Sequence, residues 1–328
     1  IDKYGAAGVR VGMLLCSPAG NDLLYDDSLP EQGRNFANKI WNAFRLVKTW
    51  ECDDSIEQPQ WSSEAVDWFG NKLSESIDKY NKAFENYRIS DALMIVYRLF
   101  WDDFSSWYLE AVKPDYQKPI DSNTLNATVA YFDKLMTLIH PFMPFITEEI
   151  WQLLYKRKTD ESIMLRKQAE SGKISDSKLR SFDLAKQIIS SVRTIRKEKN
   201  IPMKDGIDLL YTGNTKEVEY AQIIARLGRL NQFSYSESKP EGAMSFIAGT
   251  GEFFIPVGDM LDVEAEIARI KTDIKYQKGF LKSVVAKLGN DRFVNNAPEK
   301  VVEMERKKLA DAELKIEVLE LSLKDLEK

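Results

Sequence analysis

Residues 31–50 read EQGRNFANKIWNAFRLVKTW and scan as one helix with two faces. At about 100° per residue, Phe36, Ile40, Ala43, Phe44 and Val47 fall on one side. Arg34, Asn38, Asn42 and Arg45 fall on the other, and Trp41 stands beside them, about 60° from Phe44. The first side is a core stripe. The second carries two guanidinium groups, two amides and an indole, which suit phosphates, base edges and a base face. The same spacing also suits ordinary surface charges with a boundary tryptophan. Two readings therefore stand side by side: a strip that meets RNA, and a solvated helix face.

Outward from this stretch, the chain reads as mainly α. Residues 1–16 scan as a helix with Val9, Met13 and Cys16 on one face, broken by SPAGND at 17–22. Ser28 and Glu31 have capping-box spacing at the head of the central helix. Residues 61–85, 89–110 and an element opened by Asp121 or Ser122 are three further long helices. Their inward sets are Ala65/Phe69/Leu73/Ile77/Tyr80/Phe84, Leu93/Val96/Phe100/Phe104/Trp107 and Leu125/Val129/Phe132/Leu135/Ile139. His140-Pro141 stops the last of these, and Pro144 starts another through Tyr155. Phe142, Phe145 and Trp151 are expected in the core with the phenylalanines above. Short connections between such helices predict an antiparallel helical bundle over 1–160.

The pattern then changes. After a polar connector at 162–178, residues 182–199 read as a helix with a basic end. Strand patterns at 207–211 and 232–235 flank a helix at 216–227, and Gly249-Thr250-Gly251 joins two more strands. Residues 161–259 are thus expected to form a small α/β module. From Met260 the apolar positions alternate steps of three and four through Ile274, Leu281, Val284 and Leu288, with Gln277 the polar exception. Val302, Leu309, Ala312 and Ile316 continue the period, with Glu305 the exception. Gly289 and Pro298 bracket the break, so residues 260–328 predict an antiparallel two-helix coiled coil.

Composition limits the function. The 328 residues carry a net charge of −5, so RNA contact has to come from local patches rather than a global field. Two cysteines, Cys16 and Cys52, are too few for a disulfide framework or a four-cysteine zinc site. They fit a reducing, cytoplasmic setting. No apolar run reaches the roughly 18 residues of a membrane span. The chain begins IDKYGAAGVR, without Met, and reads as the interior of a longer protein. No GxGxxG, P-loop or HExxH motif occurs. The pair Glu148–Glu149 points to different helix faces and receives no acid–base role. His140 reads as a helix-end residue. No catalytic residue and no metal ligand are assigned.

Three runs carry a resemblance. SPAGNDLLYDDSLPEQGRNFANKIWNAFR (17–45) resembles the start of the anticodon-binding region of the valyl-tRNA synthetases, a class I aminoacyl-tRNA synthetase family. HPFMPFITEEIW (140–151) resembles a later helix shared by the valine, isoleucine and leucine enzymes. KLGNDRFVNNAPEKVVEMERKKL (287–309) resembles the C-terminal arm of the valine enzymes.

The resemblance implies a segment that binds tRNA(Val), with no membrane or DNA partner, as a monomer. It implies that Arg34, Asn38, Trp41, Asn42 and Arg45 include anticodon contacts, since anticodon bases unstack and present their edges. It also implies that Lys287, Arg292, Phe293 and Arg306 near the arm's turn meet the outer corner of tRNA. The HIGH and KMSKS motifs of the class are absent, and HIGH alone needs two histidines where this chain has one. The segment is therefore expected to hold no cofactor and to be inactive alone, the parent enzyme using ATP and magnesium. The isoleucine enzymes are the nearest competitor, and a non-enzymatic helical scaffold is the alternative from another class.

Overall fold

The computed structural model describes residues 1–16, 26, 28–158, 160–212, 218–238, 240, 243–256, 263–289, 302–306, 308–310, 312–313, 316 and 320. Of residues 263–270 and 273 it describes the backbone alone. The described residues are mainly helical, with two small sheets. They form two compact units: residues 1–193, 204–238 and 245–254, and residues 194–203, 239–244 and 255–328.

In the first unit, helices α1 (Gly5–Leu15) and α2 (Ser28–Lys48) pack most closely. The buried face of α1 is Gly8, Val11 and Gly12; of the expected line Val9, Met13 and Cys16, Cys16 is buried just past the helix and Val9 is only half-buried. Met13 is 43 % exposed. The reason is backbone contact. A Cβ on Gly33 of α2 would lie 2.6 Å from the Gly8 carbonyl oxygen, and one on Gly12 would lie 2.6 Å from the Pro30 nitrogen. A stripe scored by side-chain hydrophobicity overlooks a face whose value is having no side chain. At its head, α2 is held by Asp26, which accepts from the Ser28 amide at 2.8 Å.

The expected stripe of α2 is buried: Phe36, Ile40, Ala43, Phe44 and Val47. It enters an aromatic core. Phe36 meets Phe100 edge-on at 5.9 Å, and Phe44 meets Phe132 at 6.1 Å. Phe69, on α3 (Gln60–Glu85), packs on Phe104 and Tyr108.

The expected helix at 89–110 is three pieces. They are α4 (Ile89–Arg98), a π-helical segment (Leu99–Tyr108) and α5 (Leu109–Val112). The Ser106 hydroxyl donates to the Trp101 carbonyl five residues back, at 2.8 Å, in keeping with the wider turn. That turn shifts the inward set, so Tyr108 is fully buried and Trp107 only half-buried.

A parallel bridge joins β1 (Cys52–Asp53) to β2 (Ile120–Asp121), and β2 leads into α6 (Ser122–Ile139). Asp121 caps α6 by accepting from the Thr124 amide at 2.8 Å. Thr124 and Thr128 are buried there, and Thr128 shares a 2.7 Å hydrogen bond with the Tyr108 hydroxyl. On α7 (Pro144–Leu154), Thr147, Ile150 and Trp151 are buried. Phe145 is 70 % exposed, against expectation. It lies about 200° from Thr147 around the helix, on the opposite side from the buried set.

Polar contacts tie the connector at 162–178 down. Glu148 accepts from the Ser162 hydroxyl and the Ile163 amide, and Ser175 donates its amide to Asn71. Buried Asp133 lies between Arg157 at 2.9 Å and Arg166 at 2.8 Å, and the Arg157 guanidinium sits 3.3 Å over the Trp151 ring. Helix α8 (Asp176–Glu198) follows. Its Phe182 stacks on Trp68 with centroids 3.6 Å apart, and its Lys186 pairs with Asp103 at 2.7 Å. Then β3 (Ile207–Thr212), α9 (Ala221–Gly228) and β4 (Leu230–Tyr235) form a parallel crossover. Strands β5 (Ala243–Ala248) and β6 (Gly251–Pro256) complete the sheet order β4-β3-β6-β5. Gly249 supplies the positive φ of 57° in the turn between the last two strands.

In the second unit, Arg196 is buried and donates to the Pro202 carbonyl at 3.1 Å, so it forms no part of a basic surface. Helix α10 (Val263–Leu288) buries Ile274 and Val284, with Gln277, Leu281 and Leu288 half-buried. Val302, Glu305, Ala312 and Ile316 are buried on the segment after it. Lys287 pairs with Glu305 at 3.5 Å, and Lys278 pairs with Glu320 at 2.6 Å.

The glycine contact has a measurable consequence. In a free helix, Gly→Ala stabilises by about 1 kcal/mol. At Gly33 the new methyl group meets backbone that has to move, which costs on the order of 1–3 kcal/mol. Gly33→Ala should therefore lower the melting temperature. Gly279→Ala, where a Cβ meets nothing within 4 Å, should leave it unchanged or raise it. A Gly33→Ala protein as stable as the parent would show that the two backbones are not in contact.

Candidate nucleic-acid interface

The packing of α2 dictates what it shows to solvent. With Phe36, Ile40, Phe44 and Val47 inward, Arg34, Asn38, Asn42 and Arg45 are all exposed along one strip. Arg34 spends one donor on the Lys3 carbonyl at 3.3 Å. Among the described residues, the side chains of Asn38, Asn42 and Arg45 have no hydrogen-bond partner, so their donors and acceptors face water. Trp41 is half-buried. Its ring lies 5.7 Å from Phe44, tilted by 48°, with one edge in the core and the rest at the margin of the strip. The structure thus brings all five sequence-selected residues onto one helix face.

Two elements flank the strip. On the Trp41 side, Lys48 reaches α7 and donates to the Leu153 carbonyl at 3.2 Å. On the other side, the Lys39 ammonium sits 5.4 Å over the Trp101 ring of the π-helical segment. Trp101 stacks on Tyr97, with centroids 5.6 Å apart and planes 13° apart. Tyr97 in turn leans on Phe36 at 4.7 Å. Lys39, Tyr97 and Trp101 were not among the residues selected from the sequence. Their signal was present as two aromatics four apart, but it lay outside the inward stripe assigned to that helix.

The arm residues lie in the second unit. Lys287 and Arg306 are exposed, and Lys287 is engaged with Glu305. Arg292 and Phe293 lie outside the described residues.

The titratable groups weighed for catalysis hold structure. His140 Nδ1 is 2.8 Å from the Thr147 hydroxyl, and burial holds its pKa below the usual histidine value, favouring the neutral ring. Burial pushes the Glu148 carboxyl up, but hydrogen bonds from Gln152, Ser162 and the Ile163 amide outweigh it and hold the group below the usual carboxylate range. Glu149 is exposed on another face of α7. Among the described residues, no group of three or more His, Cys, Asp or Glu side chains is placed to hold a metal ion. No helix among them is long and apolar enough to cross a membrane.

In comparison with known proteins, the family models match other parts of the chain, and α2 precedes the first of them. Residues 67–211 match the family model described as the anticodon-binding domain of tRNA ligase, and residues 262–327 match the valyl-tRNA synthetase tRNA binding arm. The whole chain is 52 % identical to a valine–tRNA ligase of Parabacteroides distasonis and 49 % identical to one of Bacteroides thetaiotaomicron. It is 32 % identical to the valine–tRNA ligase of Thermotoga maritima, again over its full length. In each case the chain spans 38 % of the relative's length. The chain thus carries matches to the anticodon-binding domain of tRNA ligase and to the valyl-tRNA synthetase tRNA binding arm in this order, and it aligns over its whole length with the C-terminal part of those valine–tRNA ligases.

Proposed function

We propose that this chain is the tRNA(Val)-binding part of an enzyme that joins valine to tRNA(Val) with ATP and magnesium. Residues 1–160 are read as the antiparallel helical bundle that takes the anticodon, 161–259 as a small α/β module, and 260–328 as the arm that takes the outer corner of the tRNA. The observation that carries the reading is the α2 strip, where Asn38, Asn42 and Arg45 stand exposed beside Trp41, with no side-chain partner among the described residues. Amides and guanidinium groups hydrogen-bond base edges, and an indole at the margin can stack a base.

The arm is read as an antiparallel two-helix coiled coil. Two ion pairs support this. From Lys287 to Lys278 the chain goes back nine residues, while their partners Glu305 and Glu320 go forward fifteen. Glu305 is a buried polar position that fixes register at some cost in stability. Lys287 and Arg306, with Arg292 and Phe293 between them in sequence, are read as the contacts to the tRNA corner. The protein is read as a cytoplasmic monomer that binds neither DNA nor membrane. ATP, magnesium and the adenylation chemistry are assigned to the remainder of the parent enzyme.

Three outcomes check this function. The segment alone should give no valine-dependent ATP–pyrophosphate exchange, and exchange above a no-protein control would contradict the assignment. Arg45→Ala or Asn42→Ala should weaken tRNA(Val) binding by about tenfold, one or two hydrogen bonds to an RNA group being worth on the order of 1–3 kcal/mol. The melting temperature should stay nearly unchanged. Equal loss of stability and binding would mark the strip as structural. Deleting residues 260–328 should leave the first unit folded and reduce affinity for whole tRNA(Val), while hardly changing affinity for its anticodon stem-loop. Equal loss for both RNAs would mean that the arm supports the fold and does not touch the corner.

A further inference from the structure

We infer that Trp101, backed by Tyr97 and covered by Lys39, is a second base-stacking platform, facing the α2 strip from the side opposite Trp41. The inference rests on the anticodon reading of α2 and adds a residue on a different element. Four observations carry it. Trp101 is half-buried, so part of its indole meets solvent. Its plane is fixed by the near-parallel stack on Tyr97, which itself leans on buried Phe36. A ring already held in place loses little conformational freedom when a base stacks on it. Lys39 and Trp41 are two residues apart and thus about 200° apart around α2. The Lys39–Trp101 contact therefore bounds the polar strip on the flank away from Trp41.

Lys39 indicates the kind of occupant. An ammonium over an indole is held by the electron-rich face of the ring. Its flexible four-carbon stem lets it leave that face and pair with a phosphate when an aromatic surface replaces it. An unstacked base of a single-stranded loop brings both groups at once, a π-face for Trp101 and a phosphate for Lys39. A second copy of this chain or an apolar protein surface would satisfy the ring and leave the lysine unpaired.

The test is filter binding of the tRNA(Val) anticodon stem-loop at one fixed salt concentration, which matters because phosphate contacts are salt-dependent. The proteins are the parent chain, Trp101→Ala, Trp101→Leu and Arg45→Ala. The RNAs are the intact loop and loops with one anticodon base removed. Stacking is worth about 1–3 kcal/mol per base, or about 5- to 150-fold in affinity. Both Trp101 variants should lose about that factor. Removing the stacked base should cost the parent a similar factor and cost the Trp101 variants nothing more. Trp101→Leu keeps apolar volume without a π-face, so it carries the test if Trp101→Ala folds poorly. Parental binding by both Trp101 variants with weakened binding by Arg45→Ala would refute the platform and leave the α2 strip standing. Parental binding by all three variants would refute both. Trp101 and base-removal losses that multiply at every anticodon position would also refute stacking at Trp101.

Discussion

Helix α2 is held from two sides, and the rest of the first unit depends on that grip. Through Gly33 its backbone meets that of α1, where no side chain larger than hydrogen fits. Through Phe36, Ile40, Phe44 and Val47 it enters the aromatic core. Burying one such side chain stabilises by about 1.5–3 kcal/mol, so rotating the helix to hide its polar strip would forfeit several of these contributions together. The strip therefore faces water because the opposite side cannot.

That constraint also decides which cations of an acidic chain stay exposed. The net charge is −5, and many cations are committed internally. Arg157 and Arg166 hold Asp133, Lys186 holds Asp103, and Arg193 holds Glu110 at 2.8 Å. Arg45 is a cation that the fold leaves exposed, between amides and beside an indole. Recognition built this way uses placement rather than field strength, which suits an unpaired loop more than a regular duplex. On the flank of the same strip, the π-helical segment carries Trp101, which sits under Lys39.

Much of this was legible in the sequence, for physical reasons. The stripe of α2 and the seam of the arm repeat at helical spacing; burial follows the first throughout and, among the described residues, the second at Ile274, Val284, Val302, Ala312 and Ile316. Asp121 as a cap, Pro144 as a helix start and Gly249 as a turn each reflect a local backbone requirement. What failed was what periodicity does not encode. The buried face of α1 is made of missing side chains. The π-turn moved burial from Trp107 to Tyr108. Phe145 is apolar but lies on the wrong side of a short helix. The four polar residues and the tryptophan of the α2 strip were selected because their types and spacing agreed. The Tyr97–Trp101 pair, two aromatics four apart, was missed because it lies outside the inward stripe of that helix.

The central claim is that α2 reads an anticodon. It is tested most directly by comparing, in filter binding at fixed salt, tRNA(Val) with tRNA(Val) carrying substituted anticodon bases. If α2 hydrogen-bonds base edges, substitutions should weaken binding about tenfold or more, each base-specific contact being worth on the order of 1–3 kcal/mol. Equal affinity for every anticodon would contradict the account, leaving a surface that holds only the RNA backbone.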